Sequence, residues 1–128
     1  MATTGEFGLE RIGQIALTVR DLDRATRFYR DALGMRLLYE FTGLAFFDCG
    51  GVRLMLGVPE SAEFDHPASV VYYAVDDIAA AHGALLARGV AFESDPHIVA
   101  KLPDRDVWMA FLRDSEGNLL GLMDEVRR

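Results

Sequence analysis

With three histidines and one cysteine in the whole chain, chemistry that depends on an imidazole or a thiolate has few places to sit. The richest of them runs from Asp95 to Met109, DPHIVAKLPDRDVWM, and gathers His97, Lys101, Asp104, Arg105, Asp106 and Trp108. An imidazole titrates near neutrality, so His97 is the candidate catalytic residue, suited to acid/base work or to donation to a bound carbonyl. Trp108 offers a flat ring on which a planar ligand can stack. The segment is longer than a hairpin needs and reads as a functional loop between two strands. His66 lies in Asp65-His66-Pro67, and the spacing of His66, His97, Asp104 and Gln14 does not resemble a metal-ligand motif. Cys49 ends an apolar strand, with nothing in the sequence to lower its pKa, and is a poor nucleophile. The chain contains no G-x-G-x-x-G, no P-loop, no G-x-S-x-G and no pair of cysteines.

The elements that position these groups are written twice. Val19–Met35, VRDLDRATRFYRDALGM, is echoed by Val75–Val90, VDDIAAAHGALLARGV, at an offset of 56 residues that also pairs Asp21 with Asp77, Leu22 with Ile78 and Ala25 with Ala81. Gly34 then meets Gly89 with one residue dropped. Asp21 and Asp77 cap two helices, and the two glycines suit the left-handed residue beyond each helix end. Leu22, Ala25, Phe28, Tyr29, Ala32 and Leu33 make the apolar stripe of the first helix; Ile78, Ala81, His82, Leu85 and Leu86 make that of the second, which places His82 at the edge of a core.

Each helix follows a strand and precedes three more. Ile12–Val19 leads the first, with LLYEF, LAFFDC and VRLMLGV after it; Ser69–Val75 leads the second, with VAFES, VWMAFLR and LLGLMD after it. The expected architecture is α+β, two tandem βαβββ modules forming a curled eight-stranded mixed sheet with a cleft. It is a single domain, 1–128, with module one at about 10–58, a linker at 59–68 and module two at about 69–125. Period-two alternation puts Ile15, Leu17 and Val19, with Val71, Tyr73 and Val75, toward the helices. It leaves Gln14, Ala16, Val70 and Tyr72 facing away, where a curled sheet encloses a cavity.

The bulk properties exclude several classes of function. Half of the residues are hydrophobic and 26% charged, ordinary for a globular protein, and the net charge of −7 with no basic cluster gives nucleic-acid binding no electrostatic source. No apolar run approaches the ~18 residues of a membrane span. The N-terminus MATTGEFGLER has neither a basic head nor an apolar core, so it does not read as a secretory signal. A lone cysteine fits a reducing compartment, and the expected location is the cytoplasm.

The tandem module, the V-x-D-x-x-x-x-x-x-F-Y run from Val19 through Asp21 to Phe28 and Tyr29, and the later D-x-x-G-N of Asp114, Gly117 and Asn118 resemble the vicinal oxygen chelate superfamily, that of glyoxalase I, bleomycin-resistance proteins and extradiol dioxygenases. The resemblance implies a metal cavity with ligands from the first and last strands of each module. Matched by motif, those positions are Gln14, Val70, Met55 and Gly121. Only Gln14 supplies an oxygen of the sort hard cations prefer, and a catalytic centre needs about three protein ligands. The expectation is therefore no metal and no cofactor. The cavity face would carry Gln14, Ala16, Arg53, Met55, Val70, Tyr72, Leu119, Gly121 and Met123, joined by Phe47 and Trp108. From it we expect a binder of a small, largely apolar or aromatic molecule in the cleft between the two modules, with Gln14, Arg53, Met55, Val70, Tyr72, Trp108 and Gly121 as ligand-binding residues. The rival is a lyase, isomerase or dioxygenase of the same superfamily, metal-free with His97 as acid/base or with a relocated metal site. A third reading is a purely structural or regulatory dimer. The resemblance also implies a homodimer, sometimes module-swapped.

Overall fold

A computed structural model describes residues 7–67 and 69–128; residues 1–6 and Ala68, with the parts of the expected domain, leader and linker readings that fall on them, lie outside. The order is β1 (Gln14–Thr18), α1 (Leu22–Arg27), β2 (Arg36–Phe41), β3 (Leu44–Cys49), β4 (Val52–Gly57), β5 (Val71–Ala74), α2 (Ile78–Ala87), β6 (His97–Lys101), β7 (Arg105–Arg113) and β8 (Leu119–Arg127). The eight strands divide into two four-stranded mixed sheets, one per module, ordered β1-β4-β3-β2 and β5-β8-β7-β6. In each, the first strand runs parallel to the last and the remaining pairs are antiparallel. Among the described residues no helix is long and apolar enough to cross a membrane.

Both helices start as the repeat predicts. The Asp21 side chain accepts from the Arg24 amide at 3.1 Å and Asp77 accepts from Ala80 at 3.1 Å, and Gly34 and Gly89 hold φ of +74° and +82° just past the helix ends. The residue by which the copies differ in length is absorbed as a π-helical turn, Phe28–Ala32, in which the Leu33 amide reaches back five residues to the Phe28 carbonyl.

Two cores sit between helix and sheet. Leu17, Val19, Ala25, Tyr29, Ala45, Phe47, Leu54 and Leu56 form the first, and Ile78, Leu85, Val90, Ala110, Leu112, Leu120 and Leu122 the second. Tyr29 is fully buried, and its hydroxyl donates to Asp114 Oδ2 at 2.7 Å. Asp114 Oδ1 accepts from the amides of Glu116 and Asn118, at 2.9 and 2.8 Å. Glu116 in turn accepts from the amides of Arg20 and Asp21 at 2.8 and 3.1 Å, ahead of α1. The turn of module two thus caps the helix of module one.

Module two departs from expectation at its second strand. VAFES is reduced to one bridge, Phe92 to Leu112, because Ser94 Oγ takes the Phe111 amide at 3.2 Å and Pro96 has no amide to continue the ladder. Pairing with β7 resumes at His97, so the expected loop is itself strand β6 and a tight turn in which the Leu102 amide donates to the Arg105 carbonyl at 2.8 Å.

Candidate functional site

Register assigns each sheet a face turned away from its helix. In sheet one, Gln14 pairs with Arg53 and Ala16 with Met55, while Phe46 pairs with both Met55 and Tyr39. Gln14 and Arg53 are joined directly: Arg53 Nε donates to Gln14 Oε1 at 2.8 Å. The Gln14 amide nitrogen lies 3.8 Å from the Met55 sulfur, a weak contact that fixes which end of the amide faces the guanidinium. The Arg53 guanidinium stands 5.8 Å from the centre of the Phe46 ring and 3.4 Å from the Tyr39 hydroxyl. Its partners are thus an amide, a phenol and a ring face; among the described residues no ion pair neutralises it.

Around this arginine lies an aromatic surface that sequence reasoning missed. Tyr39, Phe41 and Phe46 stack mutually with ring centres 5.0 to 6.1 Å apart, and Tyr39 and Phe41 are largely exposed. Pairing of Phe47 with Leu54 and of Phe46 with Met55 sends Phe47 to the core and Phe46 to the open face. Phe47, expected in the cavity, is fully buried in the first core.

A cavity of about 280 Å³ opens on the same face, lined by Ala16, Thr18, Leu44, Met55, Phe64 and His66 among others. The linker folds back to form its far wall. Thr18 Oγ1 donates to the Phe64 carbonyl at 3.1 Å, and Arg20 and Asp65 form an ion pair. His66 thereby reaches the rim, with Nδ1 3.2 Å from the Pro67 carbonyl oxygen. This cavity is lined by module one and the linker, whereas the sequence led us to expect a cleft between the modules.

In sheet two the open face carries Tyr72, Gly121, Phe111, Met109 and Met123 by register. The Tyr72 ring meets Phe111 edge-on at 6.0 Å and lies over Gly121, where a Cβ would sit 2.6 Å from Tyr72 Cδ2. His97 pairs with Met109 and so falls on this face at the sheet edge, exposed, with Nδ1 2.8 Å from the Asp95 carbonyl oxygen. Val70 precedes β5 and is exposed. Trp108 pairs with Asp124 and packs on the second core, the side of the sheet opposite Tyr72 and Gly121; a nine-residue strand rather than a loop fixes that orientation. His82 sits at the core edge as expected, 4.5 Å from the Phe92 ring centre.

The four positions matched to the superfamily's metal ligands bring together one side-chain oxygen, that of Gln14, and it already accepts from a cation. Gly121 cannot carry a longer side chain without displacing Tyr72. Among the described residues no three His, Cys, Asp or Glu side chains cluster as a metal site would require. Burial pushes the Cys49 thiol up from its ordinary pKa, with Asp48 adding to the effect, which disfavours a thiolate nucleophile.

The backbone is similar to that of several solved structures. A lactoylglutathione lyase from Agrobacterium tumefaciens is 25% identical, with 91% of this chain and 94% of that chain covered and a TM-score of 0.72. A glyoxalase/bleomycin resistance protein/dioxygenase from Alicyclobacillus acidocaldarius is 22% identical over 90% and 91%, TM-score 0.70. A virulence protein from Salmonella typhimurium is 22% identical over 94% and 100%, TM-score 0.75. The family model for the Glyoxalase/Bleomycin resistance protein/Dioxygenase superfamily matches residues 11–122, nearly the whole paired-module fold described above, and the chain belongs to that superfamily.

Proposed function

We propose that the protein binds a small, largely apolar or aromatic molecule on the open face of sheet one, with an oxygen-bearing and preferably anionic group of the ligand held by Arg53, and that it does so without a metal ion. The observation that carries this reading is the 2.8 Å bond from Arg53 Nε to Gln14 Oε1. It engages the one oxygen donor inherited from the superfamily's metal set and puts a fixed positive charge beside it. A guanidinium on an aromatic face, without a carboxylate partner, is suited to a planar carboxylate or enolate. The apolar cavity beside Met55 takes the rest of the ligand.

The test is a thermal-shift and calorimetric series with benzoate-type aromatic carboxylates against their neutral amides, each with and without chelator, plus elemental analysis of protein purified without chelator. Preference for the carboxylate, indifference to chelator and loss of that preference in Arg53→Met are expected. A stoichiometric divalent ion, or carboxylate and amide binding equally, would overturn the reading. The register position of His97 favours a second one, a metal-free lyase or isomerase using that imidazole as acid/base. The homodimer implied by the superfamily belongs to the same proposal, its measurement being mass by light scattering.

A further inference from the structure

Where α1 and its π turn meet module two, away from the proposed face, an open cleft of about 540 Å³ is lined by Arg24, Arg27, Phe28, Asp31 and Arg88, among others. Three arginines thus share one spot on a protein whose net charge is −7. Two of them reach across the module boundary in opposite directions. Arg24, from α1, donates through Nη2 to the Ser115 carbonyl at 2.8 Å, and Arg88, from the end of α2, donates through Nη1 to the Ala32 carbonyl at 3.0 Å. Both acceptors are neutral, and a guanidinium carries five N–H donors, so each anchored side chain keeps donors to spare.

The carboxylates nearby are already engaged. Asp31 takes two bonds from Arg30, at 2.7 and 3.1 Å. Glu116 lies 3.8 Å from Arg24 Nη2, while its two oxygens accept the amides of Arg20 and Asp21. Arg27 makes no hydrogen bond or ion pair with any described residue; its natural helical partner, four residues on, is the Asp31 that Arg30 holds. With Arg30 matched to Asp31 and Glu116 beside Arg24, the charges of Arg27 and Arg88 stay unmatched.

The internal repeat separates what the fold needs from what it does not. At the shared offset Arg24 corresponds to Ala80 and Arg27 to Gly83, so the helix of this module forms with neither. Arg24 and Arg88 are accounted for by the carbonyls they bond, and cations suit the ends of helices. Arg27 bonds nothing, and beside two other guanidiniums it adds like-charge repulsion that a bound anion relieves.

We infer that this cleft is an anion site, which takes a compact, freely diffusing phosphate compound between Arg24, Arg27 and Arg88. Guanidinium forks match pairs of phosphate oxygens, and two of the three are already held in place, so little side-chain freedom is lost on binding. Lipid headgroups share the chemistry, but a chain this acidic is repelled by an anionic membrane surface.

The experiment titrates inorganic pyrophosphate into the full chain by calorimetry, without divalent ions and at low ionic strength. One equivalent is expected to bind, more weakly as salt is added. Arg27→Gln should lower the affinity at least about fivefold while moving the melting temperature of the free protein by less than about 2 °C. Asp31→Asn, which takes a negative charge off the wall, should tighten binding. Arg53→Met and Arg127→Gln remove the same charge from the open face of sheet one and from the end of β8, and should leave the affinity unchanged. Vesicles rich in phosphatidic acid should leave the chain in the supernatant. No binding at about 10 mM pyrophosphate, undiminished affinity in Arg27→Gln, an equal loss in Arg53→Met or Arg127→Gln, no gain in Asp31→Asn, or co-sedimentation with the vesicles would each overturn the inference.

Discussion

The Cβ that Gly121 lacks would stand 2.6 Å from Cδ2 of Tyr72. The smallest side chain at that position therefore forces the ring aside, and a ligating carboxylate forces it further. Gly121→Ala is expected to lower stability by about 1–3 kcal/mol through this overpacking, read as a shifted urea midpoint with unchanged slope. Adding Tyr72→Ala should restore most of the loss, a coupling that a double-mutant cycle measures.

The arginine on sheet one is set to act on ligand rather than on fold. Arg53→Met keeps much of the stem's apolar contact and removes the charge. The expected outcome is a loss of affinity for aromatic carboxylates of about tenfold, near 1.4 kcal/mol, with affinity for the neutral amides little changed. Isothermal titration resolves the two.

Alkaline pH tests the buried phenol at the module junction. Burial raises the Tyr29 pKa far above the ordinary phenol value, and Asp114, through its charge and its hydrogen bond, raises it further. The unfolded chain releases that proton near pH 10, so the folded state binds more protons above it. Stability due to this group is complete below pH 10 and falls as pH rises beyond, by up to about 1.4 kcal/mol per unit. Tyr29→Phe should be less stable by about 1–2 kcal/mol at neutral pH, having lost its bond to Asp114, but show a shallower decline from pH 10 to 11 in denaturant titrations.

His97 is exposed and bonded only to a nearby backbone carbonyl. For the binding function His97→Ala should change ligand affinity by less than about twofold. A variant that keeps affinity while losing turnover of any substrate found would transfer the weight to the acid/base reading.

The paired modules were legible because caps, terminal glycines and alternation are local signals, and a repeat doubles each of them. Phe46 and Phe47 show where that ends. Adjacent aromatics in a mostly apolar strand carry no polar alternation to say which points inward, and only pairing with Met55 and Leu54 decides it. Trp108 was misplaced for a related reason. Proline, aspartate and lysine around it resemble loop chemistry, yet residues 97–113 form a hairpin whose register turns the indole to the core. The Arg53–Gln14 bond lay beyond reading because it joins residues 39 apart through a parallel pairing. The linker's fold over sheet one had no periodic signal at all.

The single additional residue in the first helical segment has a consequence for how the halves hold together. The π turn ends at Ala32, whose carbonyl receives Arg88 Nη1 from the far end of α2 at 3.0 Å, and Phe28, Ala32 and Leu33 lean on the other module's core. Two copies of one module have become unequal where one must fasten to the other. Excising one residue between positions 28 and 32 would regularise that helix and loosen the clasp, turning one cooperative melting event into two.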